Sequence, residues 1–145
     1  MDERTVEIYD AAAEEYIFHW EQSNGGISSL LTHIFSTNDT VLDIGFGSGR
    51  DLAFLKHLGI DVYGIEPSEN LINVALDYHP ELEGRLLCGA IPDRIPDSFS
   101  DPFDGILVSA VLMHIPDEEL FQSAYSIRKL LRVNGKLVVS IPVER

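Results

Sequence analysis

Apolar and polar positions along this chain form short blocks that predict alternating strands and helices. Apolar runs with the length of strands occur at 41–44, 60–65, 85–88, 103–109 and 136–141. Segments with helix-starting signals follow the first, second and fourth of these runs, and they begin at Arg50, Ser68 and Asp117. Strands that alternate with helices in this way indicate an α/β fold.

Two helical segments are also indicated by the spacing or charge of their own residues. Near the N-terminus, one stripe with spacings of three and four is formed by Val6, Tyr9, Ala13, Tyr16 and Trp20. This stripe predicts a single helix over 5–20. At 117–131, acidic residues fill the first turn and basic residues the last, which complements the helix dipole. An Asn-Gly turn at 134–135 is then predicted to lead into the fifth strand.

The most informative motif is a run of alternating glycines directly after the first strand. The segment 41–49 reads Val-Leu-Asp-Ile-Gly-Phe-Gly-Ser-Gly, with Gly45, Gly47 and Gly49 ahead of the next helix. Glycine lacks the Cβ atom that would keep a ligand away from the backbone, so the run predicts a loop that contacts a cofactor. A dinucleotide fingerprint would need its third glycine at position 50, where this chain has Arg50.

An acidic residue, Glu66, follows the second strand at the carboxyl end of the run 60–65. A carboxylate there can accept hydrogen bonds from both hydroxyls of a ribose, and charge-assisted bonds of this kind are stronger than neutral ones. The alternative is a helix-capping acid, since Pro67 and Ser68 open the next helix.

These residues together resemble the class I S-adenosylmethionine-dependent methyltransferases of the small-molecule type. The segment 43–49 is similar to motif I of that family, and Glu66-Pro67-Ser68 is similar to motif II. The resemblance implies a Rossmann-like α/β fold, with a doubly wound, mostly parallel sheet of order 3-2-1-4-5 and helices on both faces. We expect the family's usual last two strands to be lacking. We also expect one cofactor-binding domain over 1–145, with an N-terminal helical cap over about 1–38.

The resemblance also implies which residues contact S-adenosylmethionine. The glycine loop would wrap the methionyl and ribose parts, Glu66 would bind both ribose hydroxyls, and Tyr16 would face the sulfonium. Many family members have an acidic or amide residue where this chain has Ala90, so the adenine contact falls to backbone groups, Asp93 or apolar side chains. The expected cofactor-binding residues are Tyr16, Asp43, Gly45, Phe46, Gly47, Glu66, Pro67, Ala90, Ile91 and Ser109.

No catalytic residue is identified from the sequence. His114 has a side chain suited to proton transfer near neutral pH, which makes it a candidate base. The same local pattern is common across the family whatever the substrate, which favours a structural or loop-orienting role for this histidine. For Tyr9 and Trp20, packing on the sheet is the alternative to cofactor contact. No metal site is predicted.

Composition limits the classes of partner. The formal net charge is −14, which argues against a nucleic-acid substrate, because phosphate binding needs clustered Lys and Arg. No apolar run approaches the roughly 20 residues of a membrane span. Asp2 and Glu3 argue against a secretory signal, and Cys88 is a lone cysteine, so we expect a cytoplasmic protein that acts on a small molecule. The exposed edge of the fifth strand suggests a homodimer that completes the sheet.

The expected function is methyl transfer from S-adenosylmethionine to an O, N, S or C atom of a small molecule by direct displacement. The sulfonium is already an activated donor, so alignment of the acceptor supplies much of the catalysis. One alternative is a non-catalytic cofactor-binding subunit or a truncated fragment, which predicts affinity without turnover. Another is an NAD-dependent oxidoreductase of the Rossmann type, whose third glycine and Tyr-x-x-x-Lys pair are not found here.

Overall fold

The structure, a computed structural model, describes residues 2–23 and 27–143. The α-helices in this part are α1 (Glu3–Ala11), α2 (Ala13–Gln22), α3 (Ser28–Leu31), α4 (Arg50–His57), α5 (Glu69–Tyr78) and α6 (Asp117–Leu130). The strands are β1 (Thr40–Ile44), β2 (Asp61–Glu66), β3 (Leu86–Cys88), β4 (Phe103–Ser109) and β5 (Leu131–Ser140). Short 3-10 turns lie at Pro80–Leu82 and Leu112–His114. The ends of the predicted domain, and residues 24–26 of its predicted cap, lie outside the described residues.

The five strands form one sheet in the order β3-β2-β1-β4-β5, and all neighbouring strands are parallel. This confirms the strand order and the Rossmann-like fold expected from the sequence. The chain runs outward from β1 to β3 and then returns to β4 on the other side of β1. Ligands of such sheets bind outside the carboxyl ends of the strands, at the point where the strand order reverses.

Helices cover both faces of the sheet because the central strands are apolar on both sides. Val41 and Leu107 point into a core that they share with α2, α4 and α5. Leu42 and Ile106 point into a second core, which they share with α6. All four side chains are fully buried. The ends of β1 and β4 are therefore held firmly from both faces.

The N-terminal segment forms two helices instead of the single helix predicted over 5–20. The break is at Ala12, whose backbone (φ −124°, ψ 31°) is not helical, although the Ala-rich stretch 11–13 has high helix propensity. Two sets of tertiary contacts override that propensity. Asp10 ties the end of α1 to the start of α5, whereas α2 buries Ala13 and Ile17 in the first core.

The fifth strand begins earlier than predicted and contains an irregularity. Leu131 pairs with Phe103, and regular pairing resumes only where Lys136 pairs with Gly105. Asn134 has φ +66° and lies within this interruption. The Asn-Gly dipeptide predicted as a turn before the strand is thus a bulge inside it, because α6 ends directly at the sheet edge.

Within residues 2–23 and 27–143, no helix combines the length and apolar character that a membrane crossing requires. The same part of the chain contains no group of three or more His, Cys, Asp or Glu side chains arranged to hold a metal ion.

Candidate active site

A cavity of about 380 Å³ opens at the carboxyl ends of β1, β2 and β4. The loop 45–49 forms one wall, and side chains from α1 and α2 form the opposite one. Of the residues predicted to bind the cofactor, those that line the cavity are Asp43, Gly45, Phe46, Gly47, Glu66 and Ser109. His114 also lines it. The cavity therefore lies at the reversal of the strand order, where the fold favours a ligand.

The glycine loop packs too closely for side chains. Gly45, Gly47 and Gly49 have φ values of +72°, +59° and +81°, a region that other residues adopt only with strain. A Cβ atom on Gly45 would lie 2.5 Å from Cγ2 of Val111, and one on Gly47 would lie 3.2 Å from the Trp20 ring. The loop can approach a ligand because these positions have no side chain.

Gly45→Ala is expected to lower the free energy of unfolding by about 2–4 kcal/mol, from backbone strain and the clash with Val111 together. Gly84→Ala is the matched control, because Gly84 has φ +79° but no atom within 4 Å of a Cβ placed there. Chemical denaturation of both variants separates the two costs. Equal losses in both variants would contradict the close packing of the loop on Val111.

Asp43 brings an unpaired acceptor to the cavity. The residue is 2% exposed, and its Oδ1 atom has no hydrogen-bond partner in the described structure. Burial raises the pKa of Asp43 well above its ordinary value, and the nearby carboxylates of Asp51 and Glu66 raise it further. Such an acceptor costs about 1–3 kcal/mol when it lacks a donor. A cationic donor on a ligand would satisfy it.

Glu66 ends β2 inside the same cavity and is 4% exposed. Burial raises its pKa from 4.5 to about 7, while backbone hydrogen bonds from Ser68 and Gly47 act in the opposite direction. The Ser68 N–H donates to Oε1 at 3.3 Å. The carboxyl group is thus oriented by the backbone, although burial disfavours its charge. A pair of hydroxyl donors would stabilise the charged form.

The aromatic side chains of the cap differ from the expectation for Tyr16. Tyr9 and Trp20 line the cavity, whereas Tyr16 does not. Tyr16 stacks on Trp20 with ring centroids 5.7 Å apart and contacts Tyr9 edge-on at 4.8 Å. The break at Ala12 places Tyr9 and Tyr16 on different helices, so they do not form the continuous stripe expected from the sequence.

Arg50 fastens the end of α2 and was not identified as a site residue from the sequence. Its Nη1 atom donates to the backbone oxygens of Trp20 at 3.0 Å and Ser23 at 2.8 Å. These bonds hold the Trp20 ring over Gly47. Asp51, also missed, lines the cavity and accepts a 2.6 Å hydrogen bond from Ser28. The only signal for Arg50 in the sequence was that it replaces the third glycine of the dinucleotide fingerprint.

The remaining predicted residues form a second, much smaller cavity of about 10 Å³ beside the first. It is lined by Pro67, Ala90 and Ile91, and it shares Gly45 and Val111 with the larger cavity. Its walls are almost entirely apolar, and its volume is close to what a single water molecule needs, so it is too small for an aromatic ring as it stands.

His114 is tied to the cap by both its side chain and its backbone. Nε2 lies 3.3 Å from the hydroxyl oxygen of Tyr9, and the carbonyl oxygen accepts a 2.8 Å hydrogen bond from the Asp2 N–H. Burial lowers the pKa of this histidine, which favours the neutral imidazole at pH 7. The contacts support the loop-orienting role expected from the sequence.

The fold and the site define a Rossmann-like protein with a glycine loop after its first strand and a buried acidic residue at the end of its second strand. A family model described as a methyltransferase domain matches residues 41–135. Phosphoethanolamine N-methyltransferase 2 of Caenorhabditis elegans is 34% identical over 113 residues, which cover 74% of this chain and 24% of that protein. A protein-L-isoaspartate O-methyltransferase of Chlorobium phaeobacteroides is 35% identical over 115 residues, which cover 79% of this chain and 49% of that protein.

Among solved structures, a TehB-like S-adenosylmethionine-dependent methyltransferase of Corynebacterium glutamicum has the same fold. Its TM-score is 0.77 at 23% identity, and the match covers 89% of this chain and 72% of that chain. The present chain belongs to the class I S-adenosylmethionine-dependent methyltransferases, as the sequence resemblance predicted. This membership does not favour the NAD-dependent oxidoreductase considered above. The chain spans about a quarter and about half of the lengths of the two curated relatives.

Proposed function

We propose that this protein transfers a methyl group from S-adenosylmethionine to an O, N, S or C atom of a small molecule by direct displacement. The observation that carries the proposal is the pair of buried acids in one cavity. Asp43 has an acceptor atom without a donor, and Glu66 has a carboxyl group oriented by backbone N–H groups. The cofactor has an ammonium group that can donate to the unpartnered oxygen of Asp43, and a ribose diol that can donate to the carboxylate of Glu66.

Each part of the site has a role in this proposal. Asp43 accepts from the ammonium group, and Glu66 accepts from the ribose hydroxyls. The adenine packs against the apolar side chains of Pro67, Ala90 and Ile91, and the small cavity between them widens to admit it. Ser109 borders the cofactor at the end of β4. We also propose that the cap over about 1–38 and the sheet act as one domain.

The bound cofactor supplies a methyl group on a positively charged sulfur, which is already reactive toward a nucleophile. The protein then has to align the acceptor and exclude water, and alignment alone can contribute about 7–11 kcal/mol. Tyr9 and His114 keep the cap against the turn that follows β4, next to the acceptor side of the cavity. No separate base is required for an acceptor that is unprotonated at the working pH.

A small-molecule acceptor in the cytoplasm is favoured over a nucleic acid. Support comes from the net charge of −14, since 24 acidic residues would repel a phosphate backbone. The two curated relatives are named for different acceptors, phosphoethanolamine and protein L-isoaspartate. The acceptor of this protein is therefore to be found by screening.

The test is an assay for S-adenosylhomocysteine release from S-adenosylmethionine in the presence of pooled amines, alcohols, thiols and carbon acids. We expect release that depends on one acceptor and is lost in Glu66→Ala. Tight cofactor binding without release on any pool would favour the non-catalytic subunit or the truncated fragment. Release driven by RNA or DNA would contradict the small-molecule assignment.

A homodimer through the edge of β5 is a second part of the proposal. Apolar side chains along this strand are unusually exposed: Leu137 at 45%, Val139 at 41% and Ile141 at 62%. Burying them against a second copy would cover the open edge. Sedimentation equilibrium is expected to give a dimer that Val139→Lys dissociates. Leu58→Lys is the control, because Leu58 is 40% exposed and follows the last residue of α4, away from this edge.

A further inference from the structure

Asp10, near the end of α1, makes four hydrogen bonds to the start of α5, although it does not line the active-site cavity. Its Oδ1 atom accepts hydrogen bonds from the Ser68 hydroxyl at 2.6 Å and from the Asn70 N–H at 3.1 Å. Its Oδ2 atom accepts from Nδ2 of Asn70 at 2.8 Å, and its carbonyl oxygen accepts from the same amide at 3.2 Å. One carboxylate thus joins the cap to the first turn of α5.

Ser68 connects this contact to the active-site cavity. It is 1% exposed, and its Oγ atom also accepts from the Leu71 N–H at 3.1 Å as the N-cap of α5. Its backbone N–H donates to Oε1 of Glu66 at 3.3 Å. The hydrogen bonds therefore run from Asp10 through Ser68 to Glu66 without a gap. A carboxylate in this place is also favoured by the N-terminal end of the helix dipole.

We propose that Asp10 is a positioning residue, which holds the cap closed over the cofactor and fixes the orientation of Glu66 through Ser68. The inference rests on the proposed function, because it assigns Glu66 to the cofactor. Loss of Asp10 frees one end of α1, and Tyr9, the residue directly before Asp10, loses its fixed position in the cavity wall. The cofactor then leaves faster, although no atom that touches it has changed.

The sequence offers a native reporter for this test. Trp20 is the only tryptophan of the chain and lines the cavity, so its fluorescence reports both ligand and cap. We expect Asp10→Ala to raise the dissociation rate of S-adenosylhomocysteine about tenfold. Glu7→Ala is the matched control, because Glu7 is an exposed acid on the same helix. Equal dissociation rates in the two variants would overturn the inference.

An exchange of partners keeps the test independent of misfolding. Asp10→Asn retains the shape of the side chain, but it places the new amide group against the amide group of Asn70. The double variant D10N/N70D restores a donor and acceptor pair, and it is expected to recover most of the loss seen in D10N. A double variant as weak as D10N would contradict a specific hydrogen-bonded connection.

A readout without ligand separates this inference from the proposed function. The Ser68 N–H lowers the pKa of Glu66, so loosening Ser68 raises the pH at which Glu66 ionises. The titratable groups coupled to Glu66 are Asp43 and Tyr9, which are unchanged in the variant. Removal of the Asp10 charge would lower the pKa of Glu66, so a rise reports the loosening of Ser68. NMR titration of the ligand-free protein is expected to show a higher midpoint in D10A than in E7A. If the wild-type protein binds no cofactor, the proposed function fails. The midpoint still tests whether Asp10 is coupled to Glu66, and equal midpoints in D10A and E7A would contradict that coupling.

Discussion

Replacing Glu66 by glutamine is expected to weaken binding of S-adenosylhomocysteine at pH 8 by about 100-fold or more. The carboxylate lines the cavity at the end of β2. Hydrogen bonds to a charged group contribute about 1.5–3 kcal/mol each, and a ribose offers two of them. Glutamine keeps one acceptor but replaces the other with an amide donor, so one ribose hydroxyl loses its partner.

Titration calorimetry of both proteins measures the ratio directly. Glu69→Gln provides the control, because Glu69 begins α5 three residues later and is exposed. We expect its affinity to stay within about twofold of the wild type. An affinity of Glu66→Gln within threefold of the wild type would remove Glu66 from the cofactor site.

In the ligand-free protein, the stability of Glu66→Gln relative to the wild type is expected to increase as the pH rises. Burial raises the pKa of Glu66 to about 7 from 4.5, so the folded protein binds this proton more tightly than the unfolded chain. The stabilisation from the bound proton is fully present below about pH 4.5 and is lost as the pH rises through 7. Wild-type protein thus loses about 2 kcal/mol between pH 5.5 and 8.5 that the glutamine variant keeps.

Urea denaturation of both proteins at pH 5.5 and pH 8.5 measures the effect. The difference between their free energies of unfolding is expected to change by about 2 kcal/mol between the two pH values. The raised pKa of Asp43 acts on both proteins, so its direct contribution largely cancels in the comparison. Glu69→Gln is expected to show a difference from wild type that does not vary with pH. An advantage of Glu66→Gln that stays constant or shrinks between pH 5.5 and 8.5 would mean that Glu66 is ionised in the folded protein throughout this range.

These two predictions together say that Glu66 lowers the stability of the fold and raises the affinity of the site for its ligand. Glu66 is held in a buried place where its charge is unfavourable, and the charge is what a ribose diol requires. Asp43 repeats the pattern with an acceptor that has no partner. Buried polar groups without partners are rare in folded proteins, so the unpartnered oxygen of Asp43 points to a ligand.

The central part of the site could be predicted from the sequence because its signals are local. Gly45, Gly47 and Glu66 each follow a buried strand, and parallel strands bring their carboxyl ends to one edge of the sheet. The strand order 3-2-1-4-5 was implied by the resemblance of these motifs to the methyltransferase family. These features depend on residues close together in the chain and on a common topology.

The cap could not be predicted in the same way, because contacts distant in sequence decide its geometry. Helical spacing indicated one helix, but the bonds of Asp10 to α5 and the burial of Ile17 break the segment at Ala12. Tyr9 therefore faces the cavity and Tyr16 lies behind it. The bulge in β5 has a similar origin, since the direct passage from α6 into the strand is a tertiary constraint.

The measurement that tests the account most directly is calorimetric titration of the protein with S-adenosylmethionine, S-adenosylhomocysteine and NAD, repeated on Glu66→Ala. The account predicts micromolar binding of the first two ligands, loss of that binding in the variant, and no binding of NAD. Binding of NAD alone, or binding of S-adenosylmethionine that Glu66→Ala leaves intact, would contradict it.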